Sequence, residues 1–339
     1  MTDTIKVAVI GAGVMGKNHL KTYKNLPNVE LIGVYDIFPE AAENAAKMFG
    51  IKAFSSMEEV AKSVNAVSVV TTSTTHADVG EFFLNHGIHC LIEKPLATTE
   101  EECMRLINAA KKNNVTLLVG HIERFNPAVE QMSKILSDTS KIRSLTAQRM
   151  SAASGRITDV DVAMDLMIHD VEVIQSLVKS PVVNVQACSV KTADKPEGKD
   201  YISALLEFEN GTTANLTASR ITQARVRTLT VTTDTNYIDM DFINQSINVH
   251  SQGRMPYVNQ ESIPDWMNYG LKGSVEQLFI PTNQPLSAEL SHFMACIRGE
   301  ATPRITGESA LNALRVIWEI QRKLGFIKNK QESSLKLVA

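Results

Sequence analysis

Cysteine is scarce in this chain: there are four in 339 residues, Cys90, Cys103, Cys188 and Cys296, with no Cys-x-x-Cys pair among them. Such spacing offers neither a zinc-ligand set nor a disulfide framework, so the four read as reduced thiols in a reducing compartment. Aromatic residues are few, at 6%, and none alternate with basic residues as in single-strand nucleic-acid binders. An excess of one charge is lacking too. The 34 Lys and Arg against 37 Asp and Glu leave a net charge of −3, which gives no general attraction for nucleic acid or an anionic membrane. No apolar run approaches the ~20 residues of a membrane-spanning helix. The first residues, MTDTIKVAVIGAG, lack the basic segment, apolar segment and small-residue cleavage site of a secretory leader. The expectation is a soluble, cytoplasmic protein with no nucleic-acid or membrane partner. At 44% apolar and 21% charged the mixture is that of a globular protein, and the length suits two domains.

What is present is a rhythm. Apolar runs at Ile5–Ile10, Glu30–Tyr35, Ala66–Thr71, Ile88–Ile92 and Val115–Val119, with a weaker one at Lys52–Phe54, alternate with helical patterns near 14–25, 39–49, 56–63, 76–86 and 99–113. Strands without in/out alternation are covered on both faces, and strand–helix alternation at this spacing makes βαβ units of a doubly wound sheet. After Val119 the rhythm changes. An extended run at Ile142–Met150 precedes a helix over Val160–Val178, with Thr158 or Asp159 as its cap. Strands then dominate: Val182–Val190, Tyr201–Glu207, Thr213–Ser219, Arg227–Thr232, Tyr237–Phe242 and Ser246–His250, with a hairpin signal at Asn210-Gly211. Helices return at Ser287–Arg298 and Glu308–Leu324.

The segment Gly11-Ala12-Gly13-Val14-Met15-Gly16 follows the first strand and opens the first helix. Taken alone, such glycines are a turn as readily as a ligand loop. In this context Gly11 permits the tight turn, Gly13 the approach of a pyrophosphate and Gly16 close helix–strand packing. The N–H groups of the helix end, with Val14 and Met15, then face the phosphates. Asp36 stands 20 residues past Gly16 at the end of strand two, where a carboxylate binds ribose hydroxyls and repels a 2′-phosphate. No Arg or Lys directly follows it, so the expected cofactor is NAD rather than NADP. The expected architecture is α/β: a Rossmann domain over 1–122, then an α+β domain over 123–339 with an open, largely antiparallel sheet. The last helices are expected to pack back on the first domain.

Strand five runs into Glu93-Lys94-Pro95. A lysine at that strand end lies beside the cofactor crevice, where partial desolvation makes its amine a usable base. By itself the tripeptide is equally a capped surface loop. On the later helix Asp165 and His169 are four apart and share a face, extended by Asp161 and Glu172, with Leu166, Met167, Ile174 and Leu177 opposite. Read from the residues alone, that polar line is a solvated face more readily than a catalytic one.

Four motifs in order, the glycine loop, the stretch Thr72–His76, Glu93-Lys94-Pro95 and Asp165-x-x-x-His169, resemble the Gfo/Idh/MocA family of sugar and polyol dehydrogenases. The resemblance implies an open second-domain sheet that builds homodimers or homotetramers. It also implies that Lys94 and His169 flank the reacting hydroxyl with Asp165 nearby, while Thr72, Ser73, His76, Glu93 and Lys94 join the cofactor site. Family members often carry proline after the strand-four threonine, and this chain has Ser73-Thr74.

The polar segment His121, Glu123, Arg124 and Asn126 follows strand six, although Asn126-Pro127 is equally a helix start. With the compact motif around Asp165 and His169 it is similar to the subgroup that oxidises nucleotide sugars. The expected substrate is UDP-N-acetylglucosamine, oxidised at carbon 3 to the 3-keto sugar. Its pyrophosphate needs cations, and Arg124, Arg149, Arg156 and Arg220 are the candidates. Other readings stay open: a free-sugar or inositol dehydrogenase, a UDP-N-acetylglucosaminuronate dehydrogenase, or an NAD-responsive regulator. A regulator has no need of Lys94, Asp165 and His169. No metal-ligand set is evident, which disfavours a zinc mechanism.

Overall fold

Runs rich in Val, Ile and Leu become parallel strands. β1 (Ile5–Ile10), β2 (Val29–Tyr35), β3 (Lys52–Ala53), β4 (Ala66–Val69), β5 (His89–Glu93) and β6 (Leu117–Gly120) pair in parallel in the order β3-β2-β1-β4-β5-β6. Of these, β1, β4, β5 and β6 are buried for most of their length. α1 (Val14–Tyr23), α2 (Pro39–Phe49), α3 (Met57–Ala61), α4 (His76–Asn85) and α5 (Glu100–Lys112) connect them. Local chemistry sets the ends. Pro39 opens α2, and Gly50, at φ 66°, closes it in the left-handed conformation that costs glycine nothing. Thr99 and Glu102 form a reciprocal cap on α5, whose first turn is acidic and whose last turn carries Lys111 and Lys112. The strand order reverses between β1 and β4, which opens a crevice at the carboxyl ends of the strands.

The computed structural model describes residues 4–137, 141–152, 160–191, 196–252 and 273–327. The chain divides into two units, Met1–Phe125 with Asn283–Arg315 and Asn126–Thr282 with Val316–Ala339. In the second, α6 (Pro127–Ser137) and α7 (Ile168–Val178) accompany an eight-stranded sheet. Its strands are β7 (Ile142–Met150), β8 (Val182–Ser189), β9 (Tyr201–Phe208), β10 (Thr213–Ser219), β11 (Val226–Thr233), β12 (Asn236–Asp241), β13 (Ser246–Gln252) and β14 (Gly273–Gln277). The sheet is not one continuous meander. β8-β9-β10 and β11-β12-β13-β14 are separate meanders joined by β7, which is parallel to β10 and antiparallel to β11. Leu229, Val231, Ile238 and Met240 are buried on one face, while Thr228, Thr230, Asp239 and Asp241 occupy the other.

The late helices divide between the units. Leu290, Phe293 and Met294 of α8 (Pro285–Ile297) join Val7, Val9, Leu20 and Tyr23 in the core of the first unit. α9 (Gly307–Lys323) changes allegiance within its length, since the boundary falls after Arg315. A side chain at Gly307 would meet Ile107 at 2.5 Å, so this helix start needs glycine.

The core of the second unit contains an ion pair. Arg149 on β7 is buried, and its guanidinium donates to both carboxylate oxygens of Asp170 on α7 at 2.8–3.1 Å. Its other face lies 4.9 Å from the centroid of the Phe242 ring. Such a pair repays its desolvation poorly, but removing one member strands the other charge. Arg149→Met is expected to lower stability by about 3–5 kcal/mol, read as a fall in the urea midpoint. Arg149→Met/Asp170→Leu should recover most of the loss. An unchanged midpoint in the single variant would mean that Arg149 is not held by the fold.

Candidate active site

The loop from β1 to α1 is held by Asp36, not merely placed near it. Asp36 Oδ2 accepts the Ala12 N–H at 2.7 Å and Oδ1 that of Phe38 at 2.9 Å. Gly11 sits at φ 106°, and a Cβ there would meet the Val70 carbonyl oxygen at 2.5 Å; one on Gly16 would meet that of Gly11 at 2.0 Å. Gly13 differs, because a Cβ on it would touch nothing within 4 Å. Protein packing therefore explains Gly11 and Gly16 but not Gly13. The space over Gly13 suits an approaching pyrophosphate. α1 behind it has no side-chain cap and no acid in its first turn, so its N–H groups and positive dipole end remain available to an anion. Val14 is exposed and Met15 half-buried on this turn.

Lys94 lies at the end of β5, and its surroundings are built from several loops. The Lys94 N–H donates to Glu93 Oε2 at 3.2 Å, while Glu93 Oε1 meets His19 Nε2 of α1 at 3.0 Å. Burial pushes the Glu93 carboxyl up, but the His19 bond, His19 itself and Lys94 together hold it below the usual carboxylate range. Because an ionised carboxylate only accepts, His19 donates. His76, at the start of α4, has its ring nitrogens 2.8 Å from the Pro95 carbonyl oxygen and 3.2 Å from that of Thr71. It thus clips the loop after β4 to the loop after β5. Burial holds its imidazole below the ordinary histidine range despite these bonds. Thr72 and Ser73 lie in the turn between, where the Thr75 hydroxyl bonds the Thr71 hydroxyl and the Thr72 carbonyl at 2.8 and 2.9 Å.

After β6, His121 is buried, and burial followed by the charge of Lys94 pushes its imidazole down to about 3. A neutral ring therefore borders Lys94. Glu123 is buried and Arg124 half-buried in the turn Ile122–Phe125. Asn126 has a structural occupation: its Oδ1 accepts the Ala128 N–H at the head of α6, and its Nδ2 donates to the Phe242 carbonyl at 3.0 Å. It is the helix start that Asn126-Pro127 suggested.

In the second unit Asp165 lies in a single π-helical turn, Ala163–Met167, that runs into α7, with His169 second in α7. The wider turn offsets Asp165 from the α-helical register that a spacing of four assumes, and such turns recur at functional sites. The polar line is not a solvated face. Asp161, Asp170 and Glu172 are buried, and Asp165 and His169 half-buried. Asp161 Oδ1 accepts the N–H groups of Ala163 and Met164, and its Oδ2 takes Gln321 Nε2 at 2.6 Å. Arg220 bonds Asp200 at 2.9 Å and the Val160 carbonyl at 2.8 Å, with Asp165 3.8 Å away. Arg149 and Arg220 thus both face carboxylates of the fold. Arg156, with Thr158 and Asp159, lies outside the described residues.

Residues 5–121 match the model of an oxidoreductase family with an NAD-binding Rossmann fold, and residues 143–238 that of the GFO/IDH/MocA C-terminal domain. UDP-N-acetylglucosamine 3-dehydrogenase of Acidithiobacillus ferrooxidans is 33% identical over 76% of this chain and 82% of its own. The chain belongs to the Gfo/Idh/MocA family. A crystal structure of that Acidithiobacillus enzyme superposes with a TM-score of 0.85 at 29% identity, covering 95% of this chain and 98% of the other. An inositol 2-dehydrogenase of Rhizobium meliloti is 27% identical over 64% of this chain and 69% of its own. As a family member the chain is an NAD-binding oxidoreductase, and its glycine loop and Asp36 fit that cofactor. Among the described residues no helix is long and apolar enough to cross a membrane.

Two residues here escaped the reading of the sequence. His19 falls three past Gly16 on the buried stripe Gly16, His19, Leu20, Tyr23 of α1. Glu289 is a lone acid among Leu290, Phe293 and Met294 on the buried face of α8. A polar residue inside an apolar helical stripe was the available signal for both.

The two kinds of glycine give opposite variants. Gly13→Ala should cost under about 1 kcal/mol of stability, as a cap change, yet weaken NAD at least about tenfold in titration of the cofactor-free protein. Gly16→Ala should destabilise the fold itself. Unchanged NAD affinity in Gly13→Ala would remove the pyrophosphate from this loop.

Proposed function

We propose that this protein oxidises a secondary hydroxyl of a nucleotide sugar, UDP-N-acetylglucosamine at carbon 3, to the 3-keto sugar. The similarity to the Acidithiobacillus dehydrogenase, sustained over most of both chains, carries this reading. The inositol dehydrogenase relatives support a second, a free polyol as substrate. In this proposal residues 1–122 bind the cofactor, and residues 123–339 hold the substrate and form the oligomer contact.

Bound NAD supplies the acceptor for the carbinol hydrogen. The work of the chain is positioning and proton exchange. Lys94 stands on the same edge of the parallel sheet as the glycine loop and Asp36, and His169 is the side chain suited to exchange a proton near neutral pH. The hydroxyl proton passes to His169 or to Lys94, and Asp165 orients the histidine. His121, kept neutral, lines the Lys94 side with Glu123. Arg149 and Arg220 bond carboxylates of the fold, and the proposal keeps Arg124 and Arg156 as phosphate cations on the sequence reading alone. Binding energy from the remote UDP portion positions the sugar hydroxyl.

Lys94→Ala and His169→Ala should each lower turnover by about 10²-fold or more, with NAD affinity little changed in His169→Ala. In the parent protein, kcat/KM for UDP-N-acetylglucosamine should exceed that for N-acetylglucosamine and for myo-inositol. A free sugar or inositol that matches it would transfer the assignment to the polyol reading.

The polar face of the second sheet supports the oligomer proposal. Asp239 there bonds Asn248 and His250 at 3.0 and 2.8 Å, and Ser203 bonds Thr217 at 3.1 Å, so its side chains are ordered before any partner arrives. A dimer or tetramer is expected by light scattering. A species of 37.3 kDa alone at micromolar concentration would contradict it.

A further inference from the structure

Glu289 has no exposed surface, and neither of its carboxyl oxygens meets a hydrogen-bond partner among the described residues. It belongs to the stripe that α8 buries, and α8 packs against α1 and the turn Ile122–Phe125. The titratable and charged groups on these neighbours are His19 and Tyr23 on the buried face of α1, with Lys17 and Lys21 exposed on it, and Glu123 and Arg124 of the turn; His292 is on α8 itself, and Glu93 and Lys94 follow at the end of β5. Two polar atoms of α1 are engaged elsewhere, while His19 Nδ1, like the Glu289 oxygens, has no hydrogen-bond partner among the described residues. The Tyr23 hydroxyl bonds Ser68 Oγ at 2.8 Å, and His19 Nε2 bonds Glu93. What reaches Glu289 is repulsion, since the charge of Glu93 adds to burial in pushing its carboxyl well above the usual range. Two carboxylates in one dry site do not both ionise; they titrate as a pair.

We propose that Glu93 and Glu289 hold one negative charge between them, with Glu93 ionised and Glu289 carrying the proton, so that this pair presents a single charge to Lys94. Glu289 is then a positioning residue acting through Glu93. Its proton keeps the cluster from gathering a second charge, and its carboxyl is the reserve that ionises if Glu93 loses its own. The kinetic consequence rests on the proton-exchange role proposed for Lys94; the shared charge does not.

The test follows the carboxyl itself. Infrared spectra of the cofactor-free protein should contain a protonated-carboxyl C=O band at neutral pH that is absent from Glu289→Gln. In Glu93→Gln the band should titrate away at lower pH, because the repulsion has gone. Above the ordinary glutamate range the native state keeps a proton that the unfolded chain releases, so wild-type stability falls relative to Glu289→Gln as pH rises. The Tm gap between them should therefore widen with pH, and Glu289→Met should show the same trend should Glu289→Gln fold poorly. In turnover, Glu93→Gln should cost at least about tenfold more in the Glu289→Gln background than in the wild type. Absence of the band at neutral pH or a Tm gap flat with pH would overturn the shared charge, and additive kinetic losses would overturn the positioning role of Glu289. If Lys94→Ala turned over normally while the band behaved as described, the role of Lys94 would fall and the shared charge would stand.

Discussion

The first unit depends on one buried hydrogen bond, that between His19 and Glu93. α1 begins at the glycine loop and β5 ends at Glu93, beside Lys94, so this bond fixes the distance between the glycine loop and the lysine. His19 has no exposed surface there, so an unmet nitrogen on it is costly and it cannot exchange Glu93 for water. Around it the remaining loops at the carboxyl edge of the sheet are tied in the same way: Ala12 to Asp36, and Thr71 to Pro95 through His76. The crevice is thus defined by side chains that lock loops to one another, which leaves the backbone N–H groups of α1 to a ligand.

The second unit orders the helix that carries His169 by a different means. Asp170 on α7 is held by Arg149, and the residues before α7 are held by Asp161 to Gln321 and by Arg220 to the Val160 carbonyl. These ties anchor the helix at several points, so the π-helical turn carrying Asp165 is retained where an unanchored chain would relax to α-helix. The cations that a phosphate-binding reading would reserve for substrate are in two cases consumed in this anchoring.

Much of the first unit was legible because its chemistry is local. Gly11, Gly13 and Gly16 lie within six residues of one another, and the apolar runs mark the strands without reference to partners. Asp36 was equally legible, since its distance from Gly16 is a property of the βαβ unit. His19 and Glu93 are 74 residues apart, and neither carries a sign of the other. Arg149 has the look of a phosphate fork until it is known that Asp170 shares its side of β7. The same holds for Asn126, where the helix-start reading and the ligand reading use the same atoms and burial decides between them. What a sequence conceals in this protein is pairing at long range, because whether a charge is neutralised depends on which faces the folded sheets turn inward.

The first unit is discontinuous, with its core completed by Leu290, Phe293 and Met294 from a segment that begins at Asn283. A ribosome delivers the glycine loop long before the helix that covers α1. Until α8 emerges, the nascent dinucleotide fold therefore displays an uncovered apolar stripe on α1, with Tyr23 and Leu20 awaiting their cover. In a chain of this design the first unit stays open until most of the second has been made, and a stop codon before position 283 would disable the domain that precedes it.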